Sequence, residues 1–399
     1  MTPRVLIVGA SASGLSVAER LRAREWDGEI VMISDDPEPP YDRPPLSKQV
    51  LAGSWEPEQT HLRTPEQIGD LRLEIMPGHA VGVDVAGHTV TLSTDETVAY
   101  DQLVLATGLR PKLPTPWAVP TGVHTIHSIG DSIRLRDEIV GGYISKLVVI
   151  GAGVLGSEIA STAKSMGAEV TVVDQFSTSM QRQLGPQLGR EIQRLHERNG
   201  VRVLTDTGVQ ALEDRDGRVC GVVIEGETLD ADAVVVAIGG APRVEWLADT
   251  PGLAISDGVE CDAYCRAGED VFAVGDIARW FHPGLGRSIR LENRTNATQQ
   301  GGAVAGNILG DMAPYSPTPY FWTDQYDVKV QVLGIVEETS EIEFVVGSPD
   351  EGRFVAVAST AGNPDAVVAW NHPRELNKLR PLIAGRFAYD GTSALAARS

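Results

Sequence analysis

The chain has 399 residues, 42% of them hydrophobic, and a formal net charge of −20. That length suits about two to three domains and more than one buried core. The acidic balance argues against nucleic acid or an anionic membrane as partner, since both are held by clustered Lys and Arg, and the apolar runs, such as 147–150 and 233–238, fall far short of the roughly 20 residues of a spanning helix.

The N-terminal run Val5-Leu6-Ile7-Val8 leads into Gly9, Ser11 and Gly14, and Leu15, Ala18 and Leu21 then recur at helical spacing. This reads as strand, tight turn and helix, not as a cleaved leader, and the expectation is a soluble, cytoplasmic protein. In a dinucleotide fingerprint the first glycine turns the chain. A small second residue, here Ser11, lets backbone N–H groups approach a pyrophosphate at the helix N-terminus, and the third glycine allows close helix–strand packing. A second strand ends in Asp35-Asp36, where a carboxylate can accept hydrogen bonds from ribose hydroxyls. Further on, a short apolar strand stops at Thr107-Gly108 and is followed by a proline-rich crossover with Pro111 and Pro114.

A second fingerprint, Gly151, Gly153 and Gly156, carries all three glycines, and the strand after its helix ends in Asp174. An acid there binds a ribose 2′-OH and repels a 2′-phosphate. Residues 175–179 supply no arginine, although Arg182 lies nearby, so NADH is expected over NADPH. A second glycine-stopped strand follows, ending at Gly239 before Pro242, and a third ends in Gly275-Asp276. There a helix is expected to begin, and Asp276 can hydrogen-bond a polyol chain as well as cap. Beyond residue 318, strands are expected over 328–333, 341–346 and 353–358, then an amphipathic helix over 371–386 with Arg374, Lys378 and Arg380 outside. Such a basic patch on an acidic chain could dock an acidic protein. The three cysteines, Cys220, Cys261 and Cys265, suggest neither a disulfide framework nor a metal site. His61, His79 and His282 read as surface or packing residues.

The order of these signals resembles the two-dinucleotide flavoprotein superfamily that includes glutathione reductase. The segment Pro40-Tyr41-Asp42-Arg43-Pro44-Pro45-Leu46-Ser47-Lys48 is similar to that of the ferredoxin reductases of bacterial oxygenase and cytochrome P450 systems and of apoptosis-inducing factor. Residues 290–301 and 320–326 extend the resemblance, which spans residues 4 to 385. It implies an α/β fold with two Rossmann-like domains and a C-terminal α+β domain. These would be an FAD domain of 1–112 and 241–317, an NADH domain of 113–240, and a flavin-covering domain of 318–399. Carried over by motif, Asp35 would hold the adenosine ribose of FAD. Arg43, Lys48 and Arg110 would line the pyrophosphate and flavin, with Val81, Thr107 and Gly108 beside them. Asp276 would meet the ribityl chain, and Glu292 and Trp322 would border the flavin ring. Glu158 would face the nicotinamide, Asp174 and Arg182 would hold the adenosine half of NADH, and Gly239 would lie near the nicotinamide end. Lys48 and Glu158 are expected to form a buried ion pair beside flavin N5.

Several positions depart from the family pattern: Ser11, the residues following Glu292, Thr318-Pro319-Tyr320, and Arg243. The stretch 41–48 also lacks the redox cysteines of the superfamily's disulfide reductases. Electrons would therefore leave from the flavin, and the implied acceptor is a two-iron two-sulfur ferredoxin serving an oxygenase or cytochrome P450. A stand-alone NADH oxidase or quinone reductase, and an NADH-sensing interaction protein, are the alternatives.

Overall fold

A computed structural model describes residues 2–114, 119–389 and 391. Part of the expected NADH domain (115–118) and the end of the expected C-terminal domain (392–399) lie outside the described residues.

The first sheet is centred on Arg4–Val8, whose Val5, Leu6, Ile7 and Val8 are buried. Its order is Arg266–Gly268, Val271–Ala273, Gln102–Leu105, Arg4–Val8, Glu29–Ser34, Leu73–Pro77, parallel except for the antiparallel first strand. Burial on both faces explains why these strands are continuous apolar runs, not alternating ones. At Gly9 the chain turns with φ +115°, and an added Cβ would collide with the Ala106 carbonyl. Only glycine allows helix Ala12–Ala23 to start so close to the neighbouring strand.

The second sheet repeats the plan around Lys146–Ile150, in the order Arg202–Leu204, Glu169–Val173, Lys146–Ile150, Ala233–Val236, Val123–His124, all parallel. Gly151 turns with φ +104° into helix Val154–Ser165. The two sheets are joined where Leu109–Pro111 runs antiparallel to Gly240–Pro242. Past that ribbon the chain returns to the first sheet through Val271–Ala273. The second sheet is thus inserted between two portions of the first.

One local expectation fails. Gly275–Ile277 is a 3-10 turn, and it leads into the strand Ala278–His282, not into a helix. Ala278, Trp280 and His282 are buried while Arg279 and Phe281 are partly exposed, a period of two that suits aromatic residues on a sheet surface. The helix comes later, at Arg294–Ile308, capped by the Asn293 side chain on the Asn296 N–H at 2.8 Å.

The C-terminal part is a five-stranded antiparallel sheet ordered Tyr320–Gln325, Val328–Gly334, Asn363–Trp370, Arg353–Thr360, Glu341–Ser348. One face receives helix Pro373–Phe387 through Leu376, Ile383 and Phe387. The other face, with Val330, Val332, Phe354 and Trp370, packs on Leu184, Leu188, Ile192 and Leu195 of helix Gln181–Arg198 from the second unit. Among the described residues, no helix is long and apolar enough to cross a membrane.

Candidate functional site

Both glycine turns present uncapped helix N-termini. Ser11 precedes helix Ala12–Ala23 in an extended conformation and makes no capping hydrogen bond, although serine is among the best capping residues. Gly153 holds the same place before Val154–Ser165, and an added Cβ there would meet nothing within 4 Å. The first-turn N–H groups of each helix, together with its positive dipole end, are therefore free to face an anion.

The two candidate ribose acids are held differently. Asp36 is tied down by the Tyr41 hydroxyl at 2.9 Å and the Glu38 N–H at 3.1 Å. Asp35 stays 44% exposed and accepts longer contacts, both 3.2 Å, from His79 Nδ1 and Arg243 Nη1. In the second unit, Asp174 accepts the Ala152 N–H on one oxygen and the Phe176 N–H, at 2.8 Å, on the other. It braces the glycine turn and keeps one lone pair on each oxygen. Arg182 lies over the Phe176 ring at 4.7 Å from its centroid.

Between the units, Arg43 places Nη1 3.0 Å from His127 Nδ1, and its Nε is buried without a partner among the described residues. Burial first, and then the Arg43 charge, drive the His127 ring down to about 3, so it stays neutral and can accept from Arg43. Asp276 lies in the field of Arg43, Glu292 and Arg290. Burial and the Glu292 carboxylate push it up to about 7, and none of the hydrogen bonds among the described residues ends on its carboxylate. Arg290 bridges Glu292 at 2.7 Å and Asp257 at 3.1 Å, and donates to the Asp276 carbonyl at 3.1 Å. The Gly275 N–H is held by Gln300 Oε1 at 2.8 Å, which fixes the turn carrying Asp276.

The tightest cluster gathers all three parts of the fold. Lys48 Nζ lies 2.7 Å from Glu158 Oε2, with the two side chains 12% and 5% exposed. Ser47 Oγ donates to the same oxygen at 2.5 Å, and Thr323 Oγ1 donates to Oε1 at 2.8 Å. Ser47 and Lys48 come from the segment following the first unit's second strand, Glu158 from helix Val154–Ser165, and Thr323 from the C-terminal strand Tyr320–Gln325. Next to Thr323, Trp322 stacks on Tyr320 with centroids 6.1 Å apart.

Other candidates lie along the crossover. Arg110 is exposed and paired with Glu245 at 2.5 Å. Thr107 Oγ1 donates to the Arg243 carbonyl at 3.1 Å, Gly108 accepts from the Arg243 N–H, and Gly239 accepts from the Lys112 N–H. Val81 is exposed on Ala80–Asp84. Sequence reasoning missed Ser47, His127, Thr323 and Gln325. Three of them lie inside the segments 40–48 and 320–326 that carry the resemblance, whereas His127, a lone histidine in an irregular stretch, gives no signal.

A dinucleotide fits each unit: uncapped helix starts for a pyrophosphate, acids with spare lone pairs for ribose, and at Asp276 a half-buried carboxyl that accepts no hydrogen bond among the described residues. Comparison with known proteins agrees. Residues 3–301 match the family model described as pyridine nucleotide-disulphide oxidoreductase, and residues 320–397 match one described as reductase C-terminal. The chain belongs to the pyridine nucleotide-disulphide oxidoreductase family. It is 34% identical to rhodocoxin reductase of Rhodococcus erythropolis over 95% of this chain and 89% of that one. It is 35% identical to the anthranilate 1,2-dioxygenase system ferredoxin–NAD(+) reductase component of Burkholderia cepacia, over 95% and 93%. The crystal structure of the covalent putidaredoxin reductase–putidaredoxin complex superimposes with a TM-score of 0.90 at 31% identity, over 96% and 93%.

As a member of the pyridine nucleotide-disulphide oxidoreductase family the chain is an oxidoreductase whose cofactors are FAD and NADH. It departs from the family's name in its sulfur chemistry. Its three cysteines are free thiols. Cys261 and Cys265 are buried, and burial pushes the Cys265 thiol up to about 12. A thiol held that far above neutrality carries almost no nucleophilic thiolate.

Proposed function

We propose that this chain is an NADH:ferredoxin reductase that passes electrons singly to a two-iron two-sulfur ferredoxin, which serves an oxygenase or a cytochrome P450. The observation that carries this reading is the buried Lys48–Glu158 pair, fixed by Ser47 and Thr323 where the three parts of the fold meet. The relatives named as ferredoxin reductases support the choice of acceptor. Segment 41–48 offers no cysteine to carry electrons out. The three free cysteines suit the reducing cytoplasm.

In this reading residues 1–112 and 241–317 hold FAD, 113–240 hold NADH, and 318–399 cover the flavin. The helix start after Gly9, Ser11 and Gly14 takes the FAD pyrophosphate, with Arg43, oriented by neutral His127, as counter-charge. Asp35 holds the adenosine ribose. The Asp276 carboxylate accepts from the ribityl hydroxyls, and Glu292 and Trp322 border the ring, with Val81, Thr107, Gly108 and Arg110 on the crossover side. Gly151, Gly153 and Gly156 take the pyrophosphate of NADH. Asp174 takes its adenosine ribose, and Arg182 lies alongside. Gly239 leaves room at the nicotinamide end. Bound FAD supplies the chemistry that turns a two-electron hydride donor into a one-electron source. The protein's own part is positioning: Glu158 orients the Lys48 ammonium and keeps an acceptor position for the nicotinamide carboxamide, inside a site closed to water.

The test is NADH-driven cytochrome c reduction with a panel of two-iron two-sulfur ferredoxins. The proposal expects turnover that requires, and saturates with, at least one of them. Rapid NADH consumption by oxygen alone, with no ferredoxin effect, would make the chain an oxidase instead.

A further inference from the structure

Thr323 and Gln325 belong to the C-terminal strand Tyr320–Gln325, yet their side chains point into the Glu158 cluster. Both are buried and polar, as is Glu158. The hydrogen positions follow from the donors present. Gln325 Nε2 lies 3.2 Å from Thr323 Oγ1 and 3.4 Å from Met180 Sδ. An amide NH2 only donates, so it occupies a lone pair of the Thr323 oxygen. The single Thr323 hydroxyl hydrogen must then go to Glu158 Oε1, 2.8 Å away. Glu158 Oε2 is filled by Ser47 and Lys48. Oε1 carries Thr323 on one lone pair and keeps the other open, the only lone pair of the carboxylate not already used by these partners.

We propose that Thr323, backed by Gln325, is a positioning residue of the hydride-transfer site: it locks the Glu158 carboxylate so that its one open lone pair faces the nicotinamide carboxamide. This inference rests on the reading that Lys48 and Glu158 stand beside the flavin. Without the Thr323 hydroxyl, Oε1 has no partner of its own, and the carboxylate can rotate about the Ser47–Lys48 anchor, carrying the Lys48 ammonium with it. The C-terminal domain is therefore a component of the NADH half-reaction and not only a lid over the flavin.

The experiment is anaerobic stopped-flow reduction of the holoenzyme by saturating NADH. The variants are Thr323→Val, Thr323→Ser, Glu158→Gln and the double variant Glu158→Gln/Thr323→Val, with Gln325→Met as a second probe that leaves Thr323 intact. Thr323→Val keeps the shape and removes one charge-directed hydrogen bond, so flavin reduction should slow roughly tenfold. The long-wavelength absorbance of the NADH-reduced protein should weaken alongside it. Thr323→Ser should restore both signals, Gln325→Met should show a smaller slowing, and the FAD content should stay at the wild-type value. In the double variant, Thr323→Val should add nothing to Glu158→Gln. If Glu158→Gln slows reduction while Thr323→Val matches wild type, or if the two effects multiply, Thr323 has no positioning role and the site reading survives. If Glu158→Gln matches wild type, the site reading falls and the inference with it.

Discussion

Partial burial and the Glu292 carboxylate raise the Asp276 carboxyl from 3.8 to about 7, so without FAD the protein carries a half-buried, partly ionised acid at neutral pH. Its folded pKa lies above its unfolded one, so between these values the folded state binds more protons. The associated stability is fully present below the unfolded value and is lost as pH rises through the folded one. Asp276→Asn should therefore raise the melting temperature of the FAD-free protein at pH 8, with the difference shrinking towards pH 4. It should also weaken FAD binding on the order of tenfold, because the amide offers one acceptor oxygen in place of two. Identical melting at pH 8 would contradict the ionisation cost. Asp174 predicts coenzyme choice. It is braced by two backbone N–H groups, and in the proposed reading it presents a fixed negative charge where a 2′-phosphate would lie. The kcat/KM preference for NADH over NADPH should exceed about tenfold and shrink in Asp174→Asn, and equal use of the two coenzymes by wild type would refute it. At this scale the sequence exposed the acids at strand ends, because strand, turn and helix are local patterns. It could not expose Ser47, Thr323 or His127 as partners of Glu158 and Arg43, since each of those contacts joins segments far apart in the chain.

At the scale of elements, helix Gln181–Arg198 connects the second unit to the C-terminal sheet. His196 is buried in that contact. Its Nδ1 lies 3.0 Å from the Tyr326 hydroxyl, and its Nε2 has no partner among the described residues. Burial lowers its pKa from 6.5 to about 4, so the folded state binds fewer protons than the unfolded one across that window, and stability is lost as pH falls through it. The melting temperature of wild type should drop more steeply between pH 6.5 and pH 4 than that of His196→Gln, and parallel profiles would show that His196 does not contribute. The elements themselves were unevenly legible. Parallel strands beside glycine turns and the final amphipathic helix have clear periods. Asn363–Trp370 does not, because both its faces are covered, one by helix Pro373–Phe387 and one by helix Gln181–Arg198, so residues 366–370 form an unbroken apolar run. The helix expected after Asp276 failed for a related reason: over five residues, alternation and helical spacing are hard to tell apart.

For the whole molecule, a net charge of −20 opposes approach by an acidic ferredoxin unless a local patch reverses the field. Helix Pro373–Phe387 presents Arg374 and Arg380 with no ion pair among the described residues, whereas Lys378 is paired with Glu375 at 2.7 Å. Arg374→Ala/Arg380→Ala should raise the KM for ferredoxin and flatten its salt dependence while leaving NADH–ferricyanide activity intact, and Lys378→Ala should do less. An unchanged ferredoxin KM in the double variant would place docking elsewhere.

In the proposed reading, two glycine turns, a returning first sheet and a closing C-terminal domain put a flavin between the nicotinamide and the docking face. The most direct test is anaerobic titration of the purified holoprotein with NADH, followed by oxidised two-iron two-sulfur ferredoxin. The account predicts a yellow protein whose visible flavin band is bleached by about one equivalent of NADH and restored by about two equivalents of ferredoxin, as a two-electron donor and one-electron acceptor require. A protein that binds no FAD, or a flavin band that NADH leaves unchanged, would contradict it.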